Sequence, residues 1–175
     1  MSLNFFKNIY NVNSVIKFGI IDPAQNHANP NPIAYVDYTN KRLWNTTVIS
    51  NNRTDIYFCP IDGNIIFYKS WRNNEKQRSC DAMLYTNEKI VFLEIKDWAH
   101  DNDGITYIES AVEQLENTIV HFCTAHPDYR YTKKYAYISN KKIRPVFTTS
   151  LLTTMQKFKD NTNGFILKID KEILF

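Results

Sequence analysis

The chain has 175 residues, of which 43% are hydrophobic, 14% aromatic and 22% charged. That length supports one domain with a core that needs no disulfides, and the composition excludes a disordered, collagen-like or linker-rich chain. The net charge of +3 is too mild to imply a nucleic-acid partner by itself, and no apolar run reaches the roughly 18 residues of a membrane span.

The first 18 residues are interrupted by Lys7, Asn8, Asn11 and Asn13 and lack the apolar run of a secretory leader. Cys59, Cys80 and Cys123 are odd in number and far apart. That usage suits free thiols in a reducing compartment, so a cytoplasmic protein is expected. The expected organisation is a single domain over 1–175, with its core at about 55–175 and an N-terminal region, 1–54, whose elements are weakly encoded.

In chain order, Phe5, Phe6, Ile9, Tyr10, Val12, Val15 and Ile16 are spaced compatibly with a helix within 3–18. Pro23, Pro30 and Pro32 make 22–34 a loop. Short strands are expected at 46–50 and 55–59. A turn at Asp62-Gly63-Asn64 follows, then a strand from Ile65 to Lys69 and a polar loop at 70–79. Asp81 to Tyr85 and Ile90 to Lys96 form a hairpin around Thr86-Asn87-Glu88-Lys89. After a loop at 97–104, the spacing of Ile108, Ala111, Val112, Leu115, Ile119 and Phe122 predicts a helix over 105–122, with Thr106 and Glu109 in a capping-box pattern. A strand at Tyr135 to Ser139, a short helix at 150–159 and a strand at Phe165 to Ile169 complete the order. Strands, hairpin, helix and strand in that sequence favour a mixed sheet with packed helices.

The chemistry concentrates on the hairpin. With its turn centred on Asn87 and Glu88, Tyr85 faces Ile90, Met83 faces Phe92 and Asp81 faces Glu94. Side chains alternate along a strand, so Lys96 joins Asp81 and Glu94 on one face. Both faces of the hairpin are apolar, as in a central strand. Opposed like charges destabilise a sheet, and buried unpartnered carboxylates cost more. A divalent cation such as Mg²⁺, held by the two carboxylates with water and phosphate, would resolve the conflict. Lys96 would then hold a phosphate oxygen or a water. The plain alternative is a solvated Glu94–Lys96 pair at a strand end, with Asp81 paired to a basic neighbour.

Asp81, twelve residues, then Glu94-Ile95-Lys96 resembles the PD-(D/E)xK nuclease superfamily, although Cys80 stands where the motif has Pro. The helix with Glu113-Gln114-Leu115 is similar to the superfamily's helix after its ExK strand. The resemblance covers about 60–140. It implies an α/β, restriction endonuclease-like fold, with a central mixed β-sheet flanked by α-helices, and Mg²⁺- or Mn²⁺-dependent hydrolysis of phosphodiester bonds, with DNA as the substrate. It assigns metal binding to Asp81, Glu94 and the Ile95 carbonyl, orientation of the attacking water to Lys96 and an accessory contact to Gln114. Two departures stand out. Many members carry a Glu on the first helix, but no Glu here precedes Glu75; and a Gln-x-x-x-Tyr pattern is replaced by Gln114 and Thr118. The alternative is therefore a catalytically inactive binding module for nucleic acid or a protein partner; self-association is compatible with either.

Other constellations fit chemistry less well. Asp101-Asn102-Asp103-Gly104 lacks the remaining ligands of an EF-hand and is read as a turn. His121, Cys123 and His126 lack the second pair of a zinc site, and His121 is read as a helix C-terminal cation. Lys133, Lys134, Lys141, Lys142 and Arg144 lie in a stretch from 130 to 144 without an acid, and become candidate phosphate contacts once the hairpin is read as a nuclease site. Arg72, Lys76 and Arg78 are further candidates. Trp71 and Trp98 are placed to stack on bases or simply to pack.

Overall fold

In the computed structural model the described residues are 3–12, 16–23, 32–51, 55–69, 75–96, 104–140 and 148–175, with backbone alone for 104–106. Their elements in chain order are β1 (Tyr10–Asn11), β2 (Lys17–Ile21), β3 (Tyr35–Asp37), β4 (Thr46–Ile49), β5 (Tyr57–Pro60), β6 (Phe67–Tyr68) and β7 (Lys76–Gln77). There follow β8 (Ala82–Tyr85), β9 (Lys89–Ile95), α1 (Gly104–Ala125), β10 (Lys133–Ser139), α2 (Thr149–Asn161), β11 (Ile166–Ile169) and β12 (Glu172–Leu174). The fold is α/β, with a mixed main sheet of order β1-β5-β8-β9-β10-β11. Its first half is antiparallel; β9, β10 and β11 run parallel.

The centre of this sheet is set by β9. Ile90, Val91, Phe92 and Leu93 are all fully buried, so both faces of the strand are covered. Each such side chain contributes about 1.5–3 kcal/mol. Alternation sends Ile90 and Phe92 into one core with Met83, Ala136, Ile138 and the apolar stripes of α1 and α2. Val91, Leu93 and Ile95 enter a second core with Phe18, Ile20, Val48 and Ile173. Two successive crossovers, β9–α1–β10 and β10–α2–β11, step in one direction along the sheet. Right-handed crossovers of that kind leave both helices on one face.

The opposite face is covered by a second sheet, of order β12-β4-β2-β3. The layers are thus helix, sheet and sheet, and the helices cover one face of the main sheet. The N-terminal region is woven into the core. β1 pairs with β5 in the main sheet, while β12, from the far end of the chain, runs parallel to β4.

Several expectations are corrected. The described part of 3–18 contains no helix, but turns, β1 and the start of β2. Asn4 accepts the Phe6 amide at 3.0 Å and Asn8 takes φ 60°, both of which divert the backbone from helix. The strand expected over 65–69 shrinks to β6. It pairs with β7, which lies in the stretch read as loop. α1 begins at Gly104, so Thr106 lies inside the helix and is not its cap. The second sheet was not foreseen as a layer. Among the described residues, no helix is long and apolar enough to cross a membrane.

The second sheet has one tight point. Gly19 on β2 lies under the Trp44 indole, whose Nε1 donates to Asp37 Oδ1 at 2.6 Å. A Cβ at Gly19 would stand 1.9 Å from Trp44 Cγ. Gly19→Ala is therefore expected to lower stability by about 2–4 kcal/mol and Tm by about 5–10 °C, read by thermal denaturation. An unchanged Tm would contradict this packing.

Candidate functional site

The β8–β9 hairpin has the expected register: Tyr85 opposite Ile90, Leu84 opposite Val91, Met83 opposite Phe92 and Ala82 opposite Leu93. Its turn is closed by the Thr86 amide donating to the Lys89 carbonyl at 2.8 Å, while Thr86 Oγ1 accepts the Glu88 and Lys89 amides. One step beyond the last pair, Asp81 comes opposite Glu94. The Asp81 amide donates to the Leu93 carbonyl at 3.0 Å, and its carbonyl accepts the Ile61 amide at 2.8 Å.

Three sequence-predicted residues meet here. Asp81 is 9% exposed and Glu94 2% exposed. Asp81 Oδ2 accepts the Ile95 main-chain amide at 2.5 Å. Glu94 Oε1 pairs with Lys96 Nζ at 2.5 Å, and the Lys96 side chain is 18% exposed. Glu94 Oε2 is buried without a hydrogen-bond partner. The reading of Glu94 as a solvated strand-end residue is therefore excluded by its burial. A buried carboxylate oxygen left unsatisfied costs about 1–3 kcal/mol or more.

Two further carboxylates, Asp22 and Asp62, join the electrostatics and were missed in the sequence. Asp22 follows the apolar run of β2, and its amide donates to Asn45 Oδ1 at 3.0 Å. The Asn45 carbonyl accepts Ser139 Oγ at 3.3 Å, and the Ser139 carbonyl accepts the Lys96 amide at 2.9 Å. This chain of bonds ties the end of β2 to Lys96. Asp62, in the turn after β5, accepts Ser79 Oγ at 3.2 Å. Its turn signal concealed its electrostatic part. Asp22, just before Pro23, stood out as nothing more than the start of a loop.

Burial pushes Glu94 up to about 7; Lys96 opposes this, and Asp22 and Asp62 add to it. Burial and then the charges of Glu94 and Asp22 hold Asp81 well above the carboxylate range. Burial and then Asp62 raise Asp22 to about 6, against the pull of Lys96. Among the described residues, four carboxylates thus share the Lys96 ammonium.

This donor set fits a hard divalent cation: buried oxygens, one of them unsatisfied, beside an excess of negative charge. Among the described residues, no group of three or more Asp, Glu, His or Cys side chains is gathered tightly enough to hold an ion. A cation here would rest on Asp81 and Glu94 and complete its shell with water, main-chain and substrate oxygens, the usual pattern for Mg²⁺.

The accessory residue Gln114 lies on α1 and is 9% exposed. Its amide donates to the Ser110 carbonyl at 3.2 Å, within its own helix. Thr118, one turn on, accepts the Cys80 amide at 2.9 Å and so fixes α1 against the residue before Asp81.

Lys133 and Lys134 are not brought to the carboxylates. They begin β10, next to Lys89 and Ile90, whereas Ser139 ends it beside Ile95. Six strand residues put them about 20 Å from the site. Lys133 pairs with Glu88 at 3.7 Å, and Lys134 Nζ donates to the Asn163 carbonyl. Lys76 and Arg78 are exposed. Lys141, Lys142, Arg144, Trp71, Arg72, Trp98 and the Asp101–Asp103 turn lie outside the described residues.

His121 stacks on Phe67 with centroids 4.6 Å apart, and its Nε2 lies 3.0 Å from Gln77 Oε1. Burial lowers its pKa, so it is a neutral packed ring and not the helix-end cation expected. Cys59, Cys80 and Cys123 are free thiols. A cavity of about 190 Å³ near Phe122, Tyr131 and Lys134 lies at the far end of α1 and is no part of this cluster.

Comparison with family models, with curated proteins and with solved structures finds no match to the chain. The functional reading therefore rests on the residues themselves.

The raised pKa values fix a pH dependence. Glu94, at about 7 against an ordinary 4.5, and Asp22, at about 6 against 3.8, bind protons more tightly folded than unfolded. Their contribution is fully favourable below about pH 4 and is lost as pH rises through 6 to 7. In EDTA, unfolding free energy from urea melts should fall by about 2–3 kcal/mol between pH 5 and 8, and Glu94→Gln should flatten much of that slope. A profile that rises over this range would contradict the assignment.

Proposed function

We propose that the chain is a metal-dependent, nuclease-like protein of the PD-(D/E)xK type that hydrolyses phosphodiester bonds of DNA. The observation that carries this reading is the buried Asp81–Glu94 pair with an unsatisfied Glu94 oxygen and the Lys96 ammonium 2.5 Å from its other oxygen. Support comes also from the order β8–β9–α1–β10, with the pair at the end of the hairpin and α1 pinned beside it through Thr118. That order suits a restriction endonuclease-like core.

On this reading Asp81 and Glu94 would hold a Mg²⁺ or Mn²⁺ ion, with the Ile95 main-chain carbonyl as a further ligand. The ion supplies Lewis acidity toward the phosphate and a more acidic bound water. Lys96 neutralises Glu94 in the metal-free protein. With a cation neutralising Glu94 in its place, Lys96 would be free to orient the attacking water or a phosphate oxygen. Asp22 and Asp62 keep the mouth of the site negative and favour the cation. Gln114 stays an accessory residue, one helical turn from Thr118.

A second reading is a catalytically inactive module that uses the same scaffold to bind nucleic acid or a protein. It is favoured by the lack of a Glu before Glu75 and by Gln114 bonding within its own helix.

Cleavage of plasmid DNA and of single- and double-stranded oligonucleotides, with Mg²⁺ and with Mn²⁺, separates the two. Wild type should cut with metal and not in EDTA. Lys96→Ala should lose at least 100-fold in rate with unchanged circular dichroism. Equal cleavage by Lys96→Ala would overturn its role. Wild type that binds but never cuts would favour the inactive module.

A further inference from the structure

The main sheet carries a cationic cluster on the face packed by the second sheet, at the edge formed by β12. Lys89 begins β9, directly beside Lys133 on β10 in the parallel register. Lys168 on β11 is beside Tyr137 in the same way. Alternation puts Lys89, Lys133, Tyr135 and Lys168 on one face, opposite to Ala136 and Leu167 of the helix-covered core.

The Lys89 and Lys168 ammonium groups converge on one ring. Lys89 Nζ lies 5.1 Å and Lys168 Nζ 4.7 Å from the centroid of Tyr135. Lys89 Nζ also sits 4.3 Å from the Phe175 ring and donates to the Leu174 carbonyl. Like charges side by side on adjacent strands repel, and ring faces compensate by a fraction of what a full counter-charge would give. The nearby acids do little. Glu88 meets Lys133 at 3.7 Å with both side chains well exposed, a pairing of small value. Asp170 is close enough for its charge to act on Tyr137. Burial and then the charges of Lys168 and Lys133 bring Lys89 down to about 8. Among the described residues, the cluster is short of anions.

We propose that Lys89, Lys133 and Lys168, on three adjacent strands around Tyr135, form a second contact surface that grips the phosphate backbone of a DNA strand, with Lys89 and Lys133 about 20 Å along the strands from the Asp81–Glu94 site and Lys168, level with Leu93, closer to it. The Lys89 and Lys168 ammonium groups flank the same ring at 5.1 and 4.7 Å from its centroid, and Lys133 begins the strand beside Lys89, an array suited to a polyanion that presents several phosphates. Contact here would set where a bound strand enters the site without touching the reacting bond. The inference rests on the nucleic-acid part of the reading above and is independent of catalysis.

The test is fluorescence anisotropy of a fluorescein-labelled single-stranded DNA 20-mer in EDTA, titrated with the full chain at several salt concentrations. Lys89→Gln with Lys168→Gln should weaken binding at least tenfold and reduce the slope of log K against log salt by about 1.4. Lys168→Gln alone changes an exposed side chain and should give about half the change in slope, which guards against misfolding of the double variant. Wild-type affinity and slope in the double variant would overturn the proposal. So would wild type that binds phosphatidylserine vesicles but no oligonucleotide. Lysine-dependent binding in a protein that never cleaves would sustain this surface while removing the nuclease reading. Cleavage with lysine-independent binding would do the reverse.

Discussion

The constraint on which the rest of the structure depends is the burial of opposed carboxylates at the end of the central hairpin. Asp81 and Glu94 face each other where the sheet is covered on both sides, and one Glu94 oxygen has no partner. A fold stabilised by only about 5–15 kcal/mol does not hold such a pair without consequence. The surroundings reduce the conflict in part. Asp81 accepts the Ile95 amide, Lys96 meets Glu94, and both carboxyls are pushed toward their protonated forms. Among the described residues, what remains is a shortage of positive charge at one defined place.

The layers explain how the pair is held there. β9 sits between two cores, so its position cannot shift without moving α1 on one side or the second sheet on the other. Thr118 anchors α1 to Cys80, and Asn45 and Ser139 connect the end of β2 to Lys96. Each element that meets the hairpin's open end therefore fixes a group of the site. Lys89 and Lys133 begin β9 and β10 at the other end of these strands, so charge of opposite sign is separated along them.

Much of this was legible in the sequence where local signals agree with tertiary packing. The register of 81–96 followed from a two-residue turn and period-two alternation, and it placed Asp81 opposite Glu94. α1 followed from a strong 3–4 residue stripe. The N-terminal third was illegible because its elements are short. β2, β3 and β4 have three to five residues each, and their partners include β12, more than 120 residues away. Phe5 and Phe6 looked helical by spacing, yet they pack from a turn against Phe122 and His126. Asp22 and Asp62 were hidden for a related reason: a residue at a strand end or in a turn reveals nothing of the distant charge it will approach.

The central claim is that the buried pair is a cation site, and titration calorimetry with Mn²⁺ addresses it most directly. Near pH 6.5, in buffers of differing ionisation enthalpy, the account predicts saturable binding with release of protons from the raised carboxyls, lost in Asp81→Asn. A folded wild type that takes up no Mn²⁺, or an Asp81→Asn variant that binds it equally well, would contradict the account.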